Sequence, residues 1–180
     1  MHRTKISLLS ACLVGTPLLS HAEKQNYAEI GFGSTVYSSS DVSSIDDTDS
    51  PLSYKVLAGG SLFNSAHLWY ELNYNYASKV QTKDGANEIS SRAIGQGIRL
   101  ISNPIQKFSG FLRIGMGRAE LTINAINYYQ YLSYVGAGTS LALSSDKHIN
   151  FEVKHTQYEE INSLDLNNTS AFVTFSQYIN

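Results

Sequence analysis

Cysteine is nearly absent from the 180 residues: Cys12 is the single one, inside the N-terminal stretch MHRTKISLLSACLVGTPLLSHA. No disulfide framework therefore needs to be considered for the chain beyond residue 22. Proline is also scarce, with Pro51 and Pro104 the two that follow that stretch. No run of 18 apolar residues occurs there either, so any passage through a membrane has to be made by strands. Basic charge is in deficit. Without Arg3 and Lys5, 11 of the 13 basic residues face 15 acidic ones, a net charge of −4, which leaves no basic face for nucleic acid.

The N-terminal stretch has a basic start, an apolar middle and the small residues Ser20 and Ala22 at positions −3 and −1. That is the pattern of a bacterial secretory signal cleaved after Ala22. Ser10, Thr16 and Pro17 break its apolar run, which is too short for a transmembrane helix. Leu9-Ser10-Ala11-Cys12 resembles a lipoprotein box, but the leader before it is too short. Residues 1–22 are read as signal and residues 23–180 as one domain.

What the chain has in abundance is tyrosine, glycine, serine and asparagine. The stretch Tyr54 to Tyr76, YKVLAGGSLFNSAHLWYELNYNY, predicts two strands of period 2 across a tight turn at Asn64-Ser65. Leu68, Tyr70, Leu72, Tyr74 and Tyr76 share one face, while His67, Trp69, Glu71, Asn73 and Asn75 share the other. Arms of about 10 residues suit a tilted bilayer-crossing strand.

The same alternation predicts eight strands: Asn26 to Tyr37, Leu52 to Phe63, Ala66 to Ala77, Ile89 to Ser102, Phe108 to Thr122, Tyr128 to Leu143, His148 to Glu159, and Thr169 to Ile179. Their connections alternate long and short, with Ile123 to Asn127 expected as the third long loop. This predicts an all-β, eight-stranded antiparallel up-and-down transmembrane barrel, its short turns and both chain ends periplasmic and its long loops external.

Glu29, Lys55, Glu71, Arg99, Arg113, Glu152 and Lys154 all fall opposite the aliphatic residues. In an eight-stranded barrel they would form a polar network in the lumen, since an arginine facing lipid at mid-depth costs roughly 2–4 kcal/mol. Gly31-x-Gly33, Gly95-x-Gly97, Gly115-x-Gly117 and Gly136-x-Gly138 lie on the charged face, where they are expected to make room for long charged side chains. None opens a helix, which excludes a dinucleotide fingerprint. Tyr37, Tyr54, Tyr74, Tyr76, Tyr128, Tyr129 and Tyr131 are expected as an external aromatic girdle, with Tyr27, Phe63, Phe108, Phe151 and Tyr178 near the other rim. A soluble barrel would have the reverse orientation, with its charges in solvent.

YKVLAGGSLFN followed by LWYELNYNYA, then FSGFLRIGMGRAEL, then YVGAGTSLAL, resembles the small outer-membrane barrel family related to the transmembrane domain of outer membrane protein A and the opacity-type surface proteins. The resemblance covers residues 23–180 and implies that Glu71, Arg99 and Arg113 are lumenal charges. It also implies insertion by the barrel assembly machinery; anchoring to the cell wall is not implied, since no peptidoglycan-binding domain is expected after strand eight. The family usually ends in an aromatic residue, whereas this chain ends FSQYIN, which shifts the insertion signal to Tyr178 or Phe175.

The function expected is therefore a non-enzymatic outer-membrane protein acting through its loops in adhesion, envelope resistance or structure. It needs no cofactor, and its partners are outer-membrane lipid, lipopolysaccharide and a surface ligand or host molecule. Arg92 and Arg118 face outward by parity near the external strand ends, placed to pair with lipopolysaccharide phosphates or to snorkel to the membrane interface. The alternatives are a lipid A deacylase-like hydrolase built on His155, a soluble periplasmic ligand-binding barrel, and a passive pore. Against the hydrolase, Gln157 stands where such enzymes carry serine, and Ser163, near Glu159 and Glu160, lies in a loop. His67 and His148 lack ligand spacing. Asp41, Asp46, Asp47 and Asp49 lack the glycine and terminal glutamate of a calcium loop.

Overall fold

The computed structural model describes residues 26–39, 51–63, 65–81, 88–159 and 166–179. The predicted signal, Cys12, the loop aspartates, Asn64, Glu160, Ser163 and Asn180 lie outside them. The described chain is eight strands: β1 (Asn26–Ser39), β2 (Leu52–Ser61), β3 (Leu68–Gln81), β4 (Glu88–Ile101), β5 (Phe108–Ile123), β6 (Ile126–Ala142), β7 (Lys147–Tyr158) and β8 (Leu166–Ile179). Each pairs antiparallel with its sequence neighbour, and β8 closes on β1. Closure leaves no edge strand to be satisfied.

The register sets the shape. From Ala28 the paired residues run through Ala58, Leu72, Gln96, Met116, Ser133, Gln157 and Asn167, and return to β1 at Ser38, ten residues further on. With a rise of about 3.3 Å per residue and about 4.8 Å between strands, that stagger tilts the strands by about 40°. The radius is roughly 8 Å, and each residue climbs about 2.5 Å along the axis.

Burial alternates along every strand. In β1, Tyr27, Glu29, Gly31, Thr35 and Tyr37 are enclosed while Ala28, Ile30, Phe32 and Val36 are exposed. The exposed face is apolar around the barrel, with Phe32 at 65%, Ile94 at 67%, Met116 at 64% and Val153 at 57% exposure. A soluble protein does not present a band of this extent to water. The soluble, charge-outward barrel is thereby overturned.

Three sequence expectations need correction. The expected loop at Ile123 to Asn127 is a two-residue turn, Asn124-Ala125, both residues at positive φ (50° and 65°), and Ile123 pairs with Ile126. That is the geometry of a type I′ hairpin. Pairing continues to this tip across β4, where Glu88 N donates to Asn124 Oδ1 at 2.9 Å. One side of the wall thus stands roughly 10 Å above the start of β2. The expected Asn64-Ser65 turn is instead a wider connection, in which Leu62 N meets Leu68 O at 2.8 Å. Finally, Tyr27, Tyr37, Tyr128 and Tyr178 turn into the lumen rather than join girdles; Tyr37 and Tyr128 pack in an interior apolar cluster and Tyr178 stacks on Tyr27. Tyr54 and Tyr76 do face outward, stacked at 4.8 Å.

Candidate functional site

Side chains fill the lumen in levels. At the end carrying the start of β1 and the finish of β8, Tyr27 meets Trp69 edge-on at 5.4 Å and stacks on Tyr178 at 5.5 Å. At the opposite end Tyr37, Ile89, Leu121, Leu132, Tyr158 and Leu166 form an apolar plug, with Tyr37 OH 2.7 Å from Ser91 Oγ. Both caps bury what lies between them.

Between them sits the charged layer. Glu29, Lys55, Glu71, Arg99, Arg113, Glu152 and Lys154, from six strands, are all buried. Arg113 is its hub: Nη2 lies 2.8 Å from Glu29, Nε 3.0 Å from Glu71, and Nη1 bonds Glu152. Lys55 bridges Glu29 at 2.9 Å and bonds Glu152. Tyr27 donates its hydroxyl proton to Glu71, and Asn150 Nδ2 donates to Glu29 at 3.2 Å. Each carboxylate thus meets several donors, which a buried charge needs to offset its lost hydration.

Arg99 is held differently. Its nearest carboxylate oxygens are 3.8 Å (Glu29) and 4.0 Å (Glu71) away. Its guanidinium lies over Phe111 at 4.3 Å and Tyr27 at 5.5 Å, a cation–π arrangement that suits the weakly hydrated group. Lys154 stands apart on the plug side, donating to Asn75 Oδ1 at 2.9 Å and lying over Tyr134 and Phe172.

The glycines make space chiefly for rings, not for the charged side chains expected from the sequence. A Cβ on Gly97 or Gly115 would come within 2.4 Å of the Tyr134 hydroxyl, and one on Gly138 within 2.4 Å of Phe111. Gly136 alone among these leaves room for a carboxylate, that of Glu152. Phe111 and Tyr134, which sequence reasoning did not assign to the network, thereby become its walls. Their inward parity was the available signal.

On the outer wall Arg92 and Arg118 face outward as expected, but both have partners. Arg92 sits directly opposite Glu120 and contacts it with Nε at 3.0 Å and Nη2 at 3.1 Å. Arg118 donates to Tyr131 OH at 2.5 Å and lies 4.7 Å over that ring; among the described residues no carboxylate pairs with it. His155 also faces outward, Nδ1 3.1 Å from Thr169 Oγ1. Among the described residues no serine or carboxylate bonds it. No group of three His, Cys, Asp or Glu residues arranged for a metal occurs among them.

No protein-family model matches the chain, and no curated protein does. Solved structures do match it in fold. Neisserial surface protein A aligns with a TM-score of 0.70 at 11% identity, over 84% of this chain and 96% of that one. The N-terminal β-barrel domain of Pseudomonas aeruginosa OprF aligns at 0.58 and 13% identity, over 87% and 100%. Ail, the attachment invasion locus protein of Yersinia pestis, aligns at 0.55 and 11% identity, over 87% and 99%. The fold is that of the small eight-stranded outer-membrane barrels.

Proposed function

We propose that the chain spans a bacterial outer membrane as a closed, non-enzymatic barrel and works through what it presents outside, in adhesion or envelope resistance. The observation that carries this is the inverted alternation: charges in a capped lumen, an apolar band on the wall. Placed in a bilayer with the chain termini periplasmic, the barrel lifts the β5–β6 hairpin above the surface with Ile126 and Tyr129 exposed, at 57% and 74%. Such an apolar, aromatic tip suits contact with a surface ligand or host molecule. Folding into the membrane would be assisted by the barrel assembly machinery. Ile179, not Tyr178, is the outward residue at the end of β8, so the aromatic signal on that face is Phe175.

Arg118 supports lipopolysaccharide as a further partner. It stands at the outer edge of the apolar band, held by Tyr131 without a competing carboxylate, and its remaining donors suit a phosphate. Arg92, already bidentate to Glu120, contributes less.

An epitope inserted between Asn124 and Ala125 tests the orientation: antibody should label intact cells. Shortening the hairpin should then reduce adhesion or survival under envelope stress as much as deleting the gene does. Labelling only after lysis, or full activity of the shortened protein, would overturn the reading. Lipid A unchanged in mass after overexpression is the expected result against the hydrolase.

A further inference from the structure

The outward wall is not apolar throughout. Across β3 to β7 two neighbouring rungs of outward residues run side by side: Tyr70, Ile98, Ile114, Val135 and His155 on one, Gln96, Met116, Ser133 and Gln157 on the other. A groove of about 700 Å³ lies along them. At the tilt set by the register, each step from strand to strand climbs about 3 Å, and two residues along a strand climb about 5 Å. The groove therefore rises roughly 17 Å from Tyr70, near the level of Leu112, to Gln157, near the level of Arg118. That is close to the depth of one leaflet, half of a hydrocarbon core about 30 Å thick.

Its chemistry changes along that climb. The deep end is walled by Tyr70, Ile98 and Ile114. At the upper end Ser133 stands directly opposite Gln157, and neither side chain has a hydrogen-bond partner among the described residues. His155, one rung below, engages Thr169 through Nδ1 and keeps Nε2 for another partner. Lipid tails offer nothing to such groups, and an unmet polar group at that depth is costly. Just above, Arg118 is exposed two residues beyond Met116 on the same face, held by Tyr131. From the membrane interior outward, the groove thus runs from apolar, through hydrogen-bonding, to cationic.

We propose that this groove seats one lipopolysaccharide molecule, an acyl chain lying over Ile98, Ile114 and Val135, the carbonyl groups of its acyl linkages on Ser133 and Gln157, and a phosphate on Arg118. The order of these groups along the groove is that of an amphiphile standing in the outer leaflet, the leaflet that carries lipopolysaccharide. A second copy docked here by two-fold symmetry would instead bring another Arg118 to the same rim, like charge beside like. The seat rests on Arg118 as a lipopolysaccharide contact and extends that contact down the wall.

Native mass spectrometry of the full barrel, refolded in detergent and titrated with lipid A or with phosphatidylglycerol, tests the seat. The wild type should hold one lipid A per barrel, about tenfold or more tighter than phosphatidylglycerol. Ile114→Trp and Val135→Trp fill the groove from the lipid side; each should weaken lipid A binding by about tenfold or more, while the unboiled variants keep the fast gel migration of a closed barrel. Ser133→Leu with Gln157→Leu removes two hydrogen bonds and should weaken it by about tenfold or more as well. Lipid A binding lost in Arg118→Ala but unchanged in both groove-filling variants would overturn the seat and leave the Arg118 contact standing. Binding indifferent to Arg118→Ala as well would overturn both. Equal retention of phosphatidylglycerol, or a lipid-free dimer, would also overturn the proposal.

Discussion

Leu112 offers a graded test of which face meets lipid. It is 55% exposed on β5, with Phe108, Ile114 and Met116 on the same outward face and Arg118 beginning the polar rim. At about 2.5 Å of axial climb per residue, Arg118 stands about 15 Å above Leu112 and Thr122 about 25 Å above it. An apolar band about 25 Å tall then has Leu112 near its midplane and Thr122 beyond its edge. Leu112→Arg should cost roughly 2–4 kcal/mol, and Thr122→Arg no more than about 1 kcal/mol. The assay is reversible urea unfolding of each variant from phospholipid vesicles, followed by tryptophan fluorescence of Trp69. Equal costs at the two positions, or a negligible cost at Leu112, would refute the lipid-facing assignment and the depth scale drawn from the register.

Two other substitutions probe the interior. Glu29→Gln removes the carboxylate that meets Lys55, Arg113 and Arg99 together, and breaking such a buried set should cost about 3–5 kcal/mol; urea unfolding from vesicles reads it, and wild-type stability would mean that the layer is not a coupled network. Gly115→Val places a Cβ 2.3 Å from the Gln96 carbonyl oxygen and 2.4 Å from the Tyr134 ring, so folding yield should fall sharply in the wild type and be only partly restored by adding Tyr134→Ala, because the backbone clash remains.

Much of this architecture was legible beforehand because period-2 alternation sorts each strand onto two faces. In the six strands that carry a lumenal charge, the charged and aliphatic residues fall on opposite faces; a soluble barrel would share that pattern in reverse, and strand length with the glycines of the charged face favoured the membrane version. Glu29 on β1 and Arg113 on β5 could thus be placed on the same inner face without knowing the register. Their contact could not, because it depends on a stagger summed around the whole circle. The pairing of Arg92 with Glu120 was hidden because it depends on the register of the single β4–β5 hairpin.

The misread elements have local causes. Tyr37 shares the parity of Glu29 on β1, and Tyr178 that of the buried Thr174 and Ser176 on β8, but tyrosine near a strand end also suits a girdle, and that habit outweighed parity. The Asn124-Ala125 turn carries a left-handed alanine, a conformation that costs an L-residue and is seldom chosen; Ile123 and Ile126 therefore looked like loop residues when they are the last paired rung. In β3 the register shifts between Ala77 and Val80: Ser78 and Lys79 together oppose Ser90, so one residue is extra, the parity flips and Val80 points inward. A bulge of this kind leaves no mark in the alternation before it occurs.

The central claim is a closed barrel standing in the outer membrane with its charges inside. Cell fractionation followed by gel electrophoresis of unboiled and boiled samples tests it most directly. The protein should sediment with the outer membrane, and the unboiled form should migrate faster than the boiled one, because a closed barrel stays compact until heat opens it. Recovery in the soluble periplasmic fraction, with the same mobility before and after boiling, would contradict the account.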